Sequence, residues 1–262
     1  MSFPLRPFRE IQDFRIAAVR FLVFSSLPRL VLVYVCMKKK ILLAWSSGKD
    51  SAWALHVLRQ QTEYEIAGLM TTFNAAFDRV AMHSTRRALV GMQAEAAGLP
   101  LIAAPIPWPC SNADYEAAMK RVCDQALAQG VTVIAFGDLF LTDVRAYRER
   151  QLKDTGLEPL FPIWGLPTQP LAQEMISAGL RAKLVCVDPK QISSSFIGRE
   201  FDQTFLHDLP AGVDPCGENG EFHSFAYAGP MFSRKIAIVT GEKVQRDGFW
   251  FCDVLPVVDT PS

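Results

Sequence analysis

Between Lys40 and Asp138 the apolar residues come in short blocks, separated by longer segments that mix apolar and polar positions. Ile41–Trp45 is an apolar run that ends in a Ser/Gly turn, and a helical stretch follows from Ser51 to about Gln60. Glu65–Thr72 reads as a second buried strand. Ser84–Ala97 has helix-forming composition and ends at Gly98-Leu99-Pro100, a helix stop. Leu101–Ala104 predicts a third strand, Asp114–Gln129 a helix closed by Gly130, and Val131–Phe136 a β-branched fourth strand ending at Gly137-Asp138. Strands alternating with helices in this way imply a parallel sheet covered on both faces.

The rhythm changes after about Pro159. Pro159, Pro162, Pro167 and Pro170 cluster, and a helix at Leu171–Ala178 leads to a strand at Ala182–Val187. Ser193–Gly229 reads as a loop-rich stretch. Lys235–Thr240 and Phe249–Val254 alternate apolar and polar residues around Asp247-Gly248, which predicts an antiparallel hairpin. The expected architecture is α/β: a Rossmann-like parallel sandwich over 37–160 and a smaller α+β domain over 161–262. The cleft between them is the default ligand site.

Composition excludes more than it suggests. Lys plus Arg equals Asp plus Glu, 27 against 27, so no global charge points to a nucleic-acid partner or an acidic membrane. Residues 1–36 differ from the rest, with five arginines against Glu10 and Asp13. Arg20, Pro28 and Arg29 interrupt every window long enough to span a bilayer. No small-residue cleavage site of a secretory signal is evident, and the two acids count against a transit peptide. The plainest reading takes 1–36 as an extension outside the domains and Met37 as the start of a cytoplasmic body. The six cysteines form no CxxC pair and no zinc-type spacing with histidine, so they read as reduced, mostly buried thiols.

The chemistry begins where the first strand runs into Ser46-Ser47-Gly48-Lys49-Asp50-Ser51 and then a helix. Such a turn lies at the C-terminal edge of a parallel sheet, where α/β folds bind ligands. Its backbone N–H groups and the helix N-terminus form an anion nest, Lys49 adds positive charge and the serines add hydroxyl donors. Polyphosphate is the natural ligand. The loop is not a Walker A motif, which needs Gly at the place of Leu43 and Ser or Thr at the place of Asp50. It resembles instead the PP-loop, usually SGGKDS, of enzymes that split ATP into AMP and pyrophosphate. Ser47 departs from the commonest form, which has Gly there, so whether the turn is the same stays open.

A second motif is Cys216-Gly217-Glu218-Asn219-Gly220-Glu221-Phe222-His223-Ser224. Two acids three apart on a Gly-rich loop suit metal coordination, amine binding or proton transfer. Together with the PP-loop, it is similar to the diphthine–ammonia ligase family, whose form reads roughly CGEGGE followed by aromatic-Glu-Thr. Gly137-Asp138, Trp164-Gly165 and Gly229-Pro230 add to the likeness, which spans Lys39 to Pro256. Asn219 and Phe222-His223-Ser224 depart from it. The ENGEFH form looks like the bacterial branch, for which a role in cobalamin precursor salvage has been proposed because bacteria lack diphthamide.

The resemblance implies a HUP-type fold and an ATP- and Mg2+-dependent ligase. A small-molecule or protein-borne carboxylate would be adenylated with loss of pyrophosphate, then amidated by ammonia. Lys49, Glu218 and Glu221 would be catalytic. Ser46, Ser47, Gly48, Lys49, Asp50, Ser51, Thr71, His83, Gly137 and Asp138 would bind ATP, with Asp50 as the metal ligand. Cys216, Gly217, Asn219, Gly220 and His223 would face the acyl acceptor, on a loop separated from ATP by the cleft. A homodimer stays open. Two rivals are an adenine-nucleotide-binding hydrolase without ligase activity, opposed by the acidic loop, and a PP-loop enzyme acting on tRNA, opposed by neutral charge. Other signals read blandly: His56 as a packing or surface histidine, His207 as incidental, and the Cys216 thiol as structural. Arg145, Arg148 and Arg150 read either as a solvated helix face or as a phosphate or substrate clamp.

Overall fold

The computed structural model describes residues 38–80 and 85–257; the expectations for 1–36 and for His83 lie outside them. Five parallel strands form the first sheet. β1 (Lys39–Ala44) lies between β2 (Tyr64–Asn74) and β5 (Val133–Ala135), β4 (Leu101–Ile106) pairs with β2, and β6 (Glu158–Leu160) pairs with β5. The two-residue β3 (Arg79–Val80) folds back antiparallel on the end of β2. Chain order therefore reverses at β1, and such a switch point opens a crevice beyond the strand ends.

The helices follow from local rules. α1 (Lys49–Arg59) buries Ala52, Leu55 and Leu58 at i, i+3 and i+6 together with Trp53, and full burial of each large apolar side chain is worth about 2 kcal/mol. α2 (Arg87–Ala97) ends on Gly98 in the left-handed conformation. α3 (Asn112–Ala128) starts at a reciprocal capping box between Ser111 and Asp114. α4 (Thr142–Leu152) connects β5 to β6, and α5 (Thr168–Ser177) leads into the second sheet.

That second sheet is antiparallel, in the order β8 (Phe222–Ala228), β7 (Arg181–Val187), β10 (Phe249–Pro256), β9 (Ile238–Arg246). The hairpin at Asp247-Gly248 is present, with its first strand running to Arg246. The expected loop at 193–229 differs: it contains the short helix α6 (Gln203–Asp208) and β8. β8 is buried on nearly every residue, so it lacks the alternation that marks a half-buried strand. One continuous apolar cluster includes Ile41, Leu43 and Leu55 from the first sheet and its first helix, and Leu184, Phe222 and Ala226 from the second sheet. The sheets thus share packing. Among the described residues, no helix is long and apolar enough to cross a membrane.

Candidate active site

The parallel sheet continues one residue past β1, because the Trp45 N–H donates to the Met70 carbonyl (2.7 Å). The chain then turns sharply. Ser47 has φ 71°, the left-handed region that costs a non-glycine residue roughly 1–2 kcal/mol. Its buried hydroxyl donates to Thr85 Oγ1 (2.9 Å), which offsets part of that cost. The turn at the departing position is therefore one that Gly would adopt freely, with Ser holding it. The Ser47 carbonyl accepts from the Ala226 N–H (2.9 Å) and from Gln93 Nε2 (3.0 Å). Gln93 also donates to the Ala226 carbonyl (2.6 Å), and its Oε1 accepts from Trp45 Nε1 (2.8 Å).

Beyond the turn, Ser46 and Ser51 hydroxyls lie 3.2 Å apart at the start of α1. They line a cleft of about 390 Å³ with Thr71 from β2, Gly137 and Asp138 beyond β5, Val144 and Arg148 from α4, and Cys216–Glu218, Gly220 and Phe222–Ser224 from the second motif. Gly137 permits this convergence: a Cβ there would sit 3.0 Å from the Asp50 and Ser51 backbone. Thr71 itself donates to the Trp45 carbonyl (2.7 Å) and fixes the end of β2 beside the loop.

The second motif touches the first directly instead of facing it across a gap. The Lys49 N–H donates to Ser224 Oγ (3.1 Å), and Lys49 Nζ donates to the Cys216 carbonyl and to both Asp50 carboxylate oxygens (2.9 Å each). Its ammonium lies over the rings of Phe201 and Phe222. Burial works against this charge, but Asp50 chiefly, then Cys216 and Glu218, hold its pKa above the ordinary lysine value.

The two acids of the motif have different surroundings. Glu218 lines the cleft and accepts one hydrogen bond, from the Leu139 N–H (3.1 Å). Burial, and then the charge of Asp50, push its carboxyl up to about 7. Glu221 is 2% exposed and is not among the described residues lining the cleft. Its oxygens accept from the Asp214 N–H (3.0 Å), the Asn219 N–H (2.9 Å) and Asn219 Nδ2 (3.1 Å). Of the two acids expected to face the acceptor, Glu218 lines the cleft, whereas Glu221, with Asn219, braces the loop from inside. Gly217 has φ 72°, and a Cβ on it would meet the Phe222 carbonyl oxygen at 2.8 Å, so the turn admits only Gly.

Cys216 is buried and its thiol is pushed up by burial, as expected of a structural thiol. His223 lines the cleft and is held down to about 4, first by burial and then by Lys49; it is neutral at pH 7. His56 on α1 packs at a tilt against Trp53 and bonds Gln60 (2.8 Å) just past the helix, and His207 is exposed on α6. Of the three arginines, only Arg148 lines the cleft; Arg145 packs on Phe161 and Trp164.

Oxygen-ligated Mg2+ fits one edge of this cleft. Asp138 Oδ2 is buried and accepts no hydrogen bond from the described residues, whereas both oxygens of Asp50, the expected ligand, already meet Lys49. The described residues contain no cluster of three His, Cys, Asp or Glu that could hold a metal. Mg2+ needs none, since it is commonly held by one or two carboxylates together with substrate phosphates. Gln93, Thr85 and Ser224 were missed as loop-holding residues. Only Ser224, inside the second motif, carried a signal.

A parallel sheet whose switch point carries a Ser-Ser-Gly-Lys-Asp-Ser turn and an acid-lined cleft defines an α/β protein of the adenine nucleotide hydrolase-like class. The sequence matches the diphthamide synthase N-terminal domain over residues 37–159 and the diphthamide synthase C-terminal domain over 167–257. It is 30% identical over 226 residues to a diphthine–ammonia ligase of Danio rerio, covering 76% of this chain and 86% of that protein. Against a Bos taurus diphthine–ammonia ligase it is 28% identical over 184 residues, 63% and 67% of the two chains. A Schizosaccharomyces pombe protein of the same name is 24% identical over 233 residues, 81% of this chain and 38% of that one. The chain belongs to the diphthine–ammonia ligase (diphthamide synthase) family.

Proposed function

We propose that the chain is an ATP-dependent ligase that adenylates a substrate carboxylate and amidates it with ammonia, and that the carboxylate is diphthine, the substrate named for its relatives. The observation that carries this reading is the single cleft lined by both the PP-loop and the Cys216–Ser224 loop. Residues 37–160 supply the nucleotide side and 161–262 the acceptor side.

A carboxylate oxygen attacks the α-phosphorus, the α–β bridging oxygen leaves with pyrophosphate, and an acyl adenylate remains. Ser46, Ser51 and the N-terminus of α1 stabilise the negative charge that develops there. Ammonia then attacks the acyl carbon, AMP leaves with the bond electrons, and the nitrogen loses a proton. Glu218 takes that proton, since a carboxyl near 7 is balanced between base and acid at neutral pH. Lys49 holds the acceptor loop against the nucleotide loop. Mg2+, held by Asp138 with the substrate phosphates, in place of the expected Asp50 whose oxygens meet Lys49, would neutralise phosphate charge.

One observation favours a second substrate, an acid of the cobalamin precursor type: His223 lines the cleft where the usual family form has Glu. The test supplies ATP, ammonium and either a diphthine-bearing protein or such an acid. Amide, AMP and pyrophosphate formed in equal amounts support the ligase reading and identify the acid. ADP and phosphate as main products overturn it.

A further inference from the structure

The cleft holds a pair of charged groups that the steps above leave unused as a pair. Leu141, Val144 and Arg148 project into the cleft from α4 and the residue that precedes it. The Arg148 guanidinium carbon lies 5.0 Å from the centre of the Phe136 ring. Arg148 Nε forms an ion pair with Asp138 Oδ2 at 3.6 Å, too long for a hydrogen bond. Both atoms are buried, and neither has a hydrogen-bond partner among the described residues. The Asp138 oxygen, itself an acceptor, calls for a donor or a cation; the Arg148 N–H, since buried polar atoms are nearly always paired, points to a missing acceptor group.

The charges around the cleft say what that group is. The described lining carries the acids Asp50, Asp138 and Glu218 and the cations Lys49 and Arg148. Lys49 Nζ already meets Asp50 and the Cys216 carbonyl, and His223 is neutral at pH 7. A polyanion entering here therefore finds in Arg148 a cation that is ion-paired with Asp138 but whose Nε–H makes no hydrogen bond among the described residues. Guanidinium is a planar fork that matches phosphate oxygens two at a time. Asp138 follows Gly137, which abuts the backbone of Asp50 and Ser51, so Arg148 stands on the nucleotide-loop side of the cleft.

We infer that Arg148 grips the pyrophosphate half of ATP, with Asp138 and the Phe136 ring holding its guanidinium in readiness. This rests on the reading of the cleft as an ATP site. AMP, which lacks the β- and γ-phosphates, does not use this contact.

Calorimetry on the full chain with Mg2+ tests it, using ATP, pyrophosphate and AMP as titrants against wild type, Arg148→Gln and Arg148→Lys. Arg148→Gln should weaken ATP and pyrophosphate about 10–100-fold, the usual worth of a charge-assisted hydrogen bond, and leave AMP within twofold. Arg148→Lys, which keeps the charge without the fork, should recover part of the loss, and this partial rescue separates ligand contact from misfolding. Equal losses for ATP and AMP would make the residue structural and overturn the proposal. Unchanged ATP and pyrophosphate affinities beside a raised KM for the carboxylate would assign Arg148 to the other substrate. A wild type that binds neither ATP nor AMP would remove the ATP-site reading and this inference with it.

Discussion

The two loops that meet in the cleft, 46–51 and 214–224, are built on opposite plans. The first is held from outside. Thr85, Gln93, Ala226 and Ser224 bond its backbone and its buried serine, while Ser46, Asp50 and Ser51 line the cleft. The second is held from inside, wrapped around the Glu221 carboxylate, and of its three acids only Glu218 is among the described residues lining the cleft. Identical residue types thus do different work. A carboxylate with three N–H partners is part of the framework; one with a single N–H partner and a shifted pKa is available for proton transfer.

The strongest way to break this comparison is to remove the residue that belongs to both loops. Lys49→Ala should lower pyrophosphate release by at least about 10²-fold, because loops no longer held together misplace the reacting groups. It should also lower the melting temperature, since leaving one partner of a buried pair alone costs about 3 kcal/mol. A steady-state pyrophosphate assay beside a thermal melt checks both. A wild-type rate would mean that the loops do not depend on this contact.

Glu218→Gln should reduce amide formation by about 10²-fold, within the usual range for a general base, with ATP affinity held within threefold. The wild-type rate should rise with pH through about 7, because the carboxyl must be ionised to accept a proton, and the variant should lose that limb. Stability should move the other way. The folded state binds this proton more tightly than the unfolded chain, whose carboxyl lies near 4.5. The group's contribution is therefore complete below about 4.5 and fades as pH climbs through 7. A pH series of product formation and of urea unfolding reads both.

Glu221→Gln sharpens the contrast. One acceptor oxygen would become a donor facing an N–H, so the loss should fall on stability, about 1–3 kcal/mol, with turnover within tenfold of wild type. Urea denaturation and a product assay separate the two acids; a 10²-fold rate loss without destabilisation would put Glu221 in the chemistry. The smallest change is expected for Ser47→Gly. Relief of a left-handed backbone and loss of the bond to Thr85 oppose each other at about 1 kcal/mol each. The melting temperature should shift by a few degrees at most, with ATP affinity unchanged.

The first loop was legible in the sequence because strand, turn and helix sit in one continuous segment. The second was legible as a motif but not as a geometry. That Glu221 turns inward depends on Gly217 closing the chain back on Phe222, a contact that no spacing rule encodes. β8 escaped notice because its buried run of Phe222–Ala228 carries neither alternation nor helical period, and the turn residues before it suggested a loop. Arg148 reads either way from the sequence, because Phe136 and Asp138 come beside it only through the fold. Helix boundaries shifted by only a few residues, since capping at Ser111 and Gly98 is local.

Gln93 has a wider consequence. Its one amide donates to the Ser47 and Ala226 carbonyls and accepts from Trp45, so two separate segments of the chain, 45–47 and β8, are keyed to one orientation of one side chain. Turning the amide over would set oxygen against two carbonyls and nitrogen against an indole N–H, so there is a single mating position and no neighbouring one to drift into. The nucleotide loop and the strand behind the acceptor loop are then indexed like parts on a dowel. Their outer surfaces can change while the gap they enclose keeps one width.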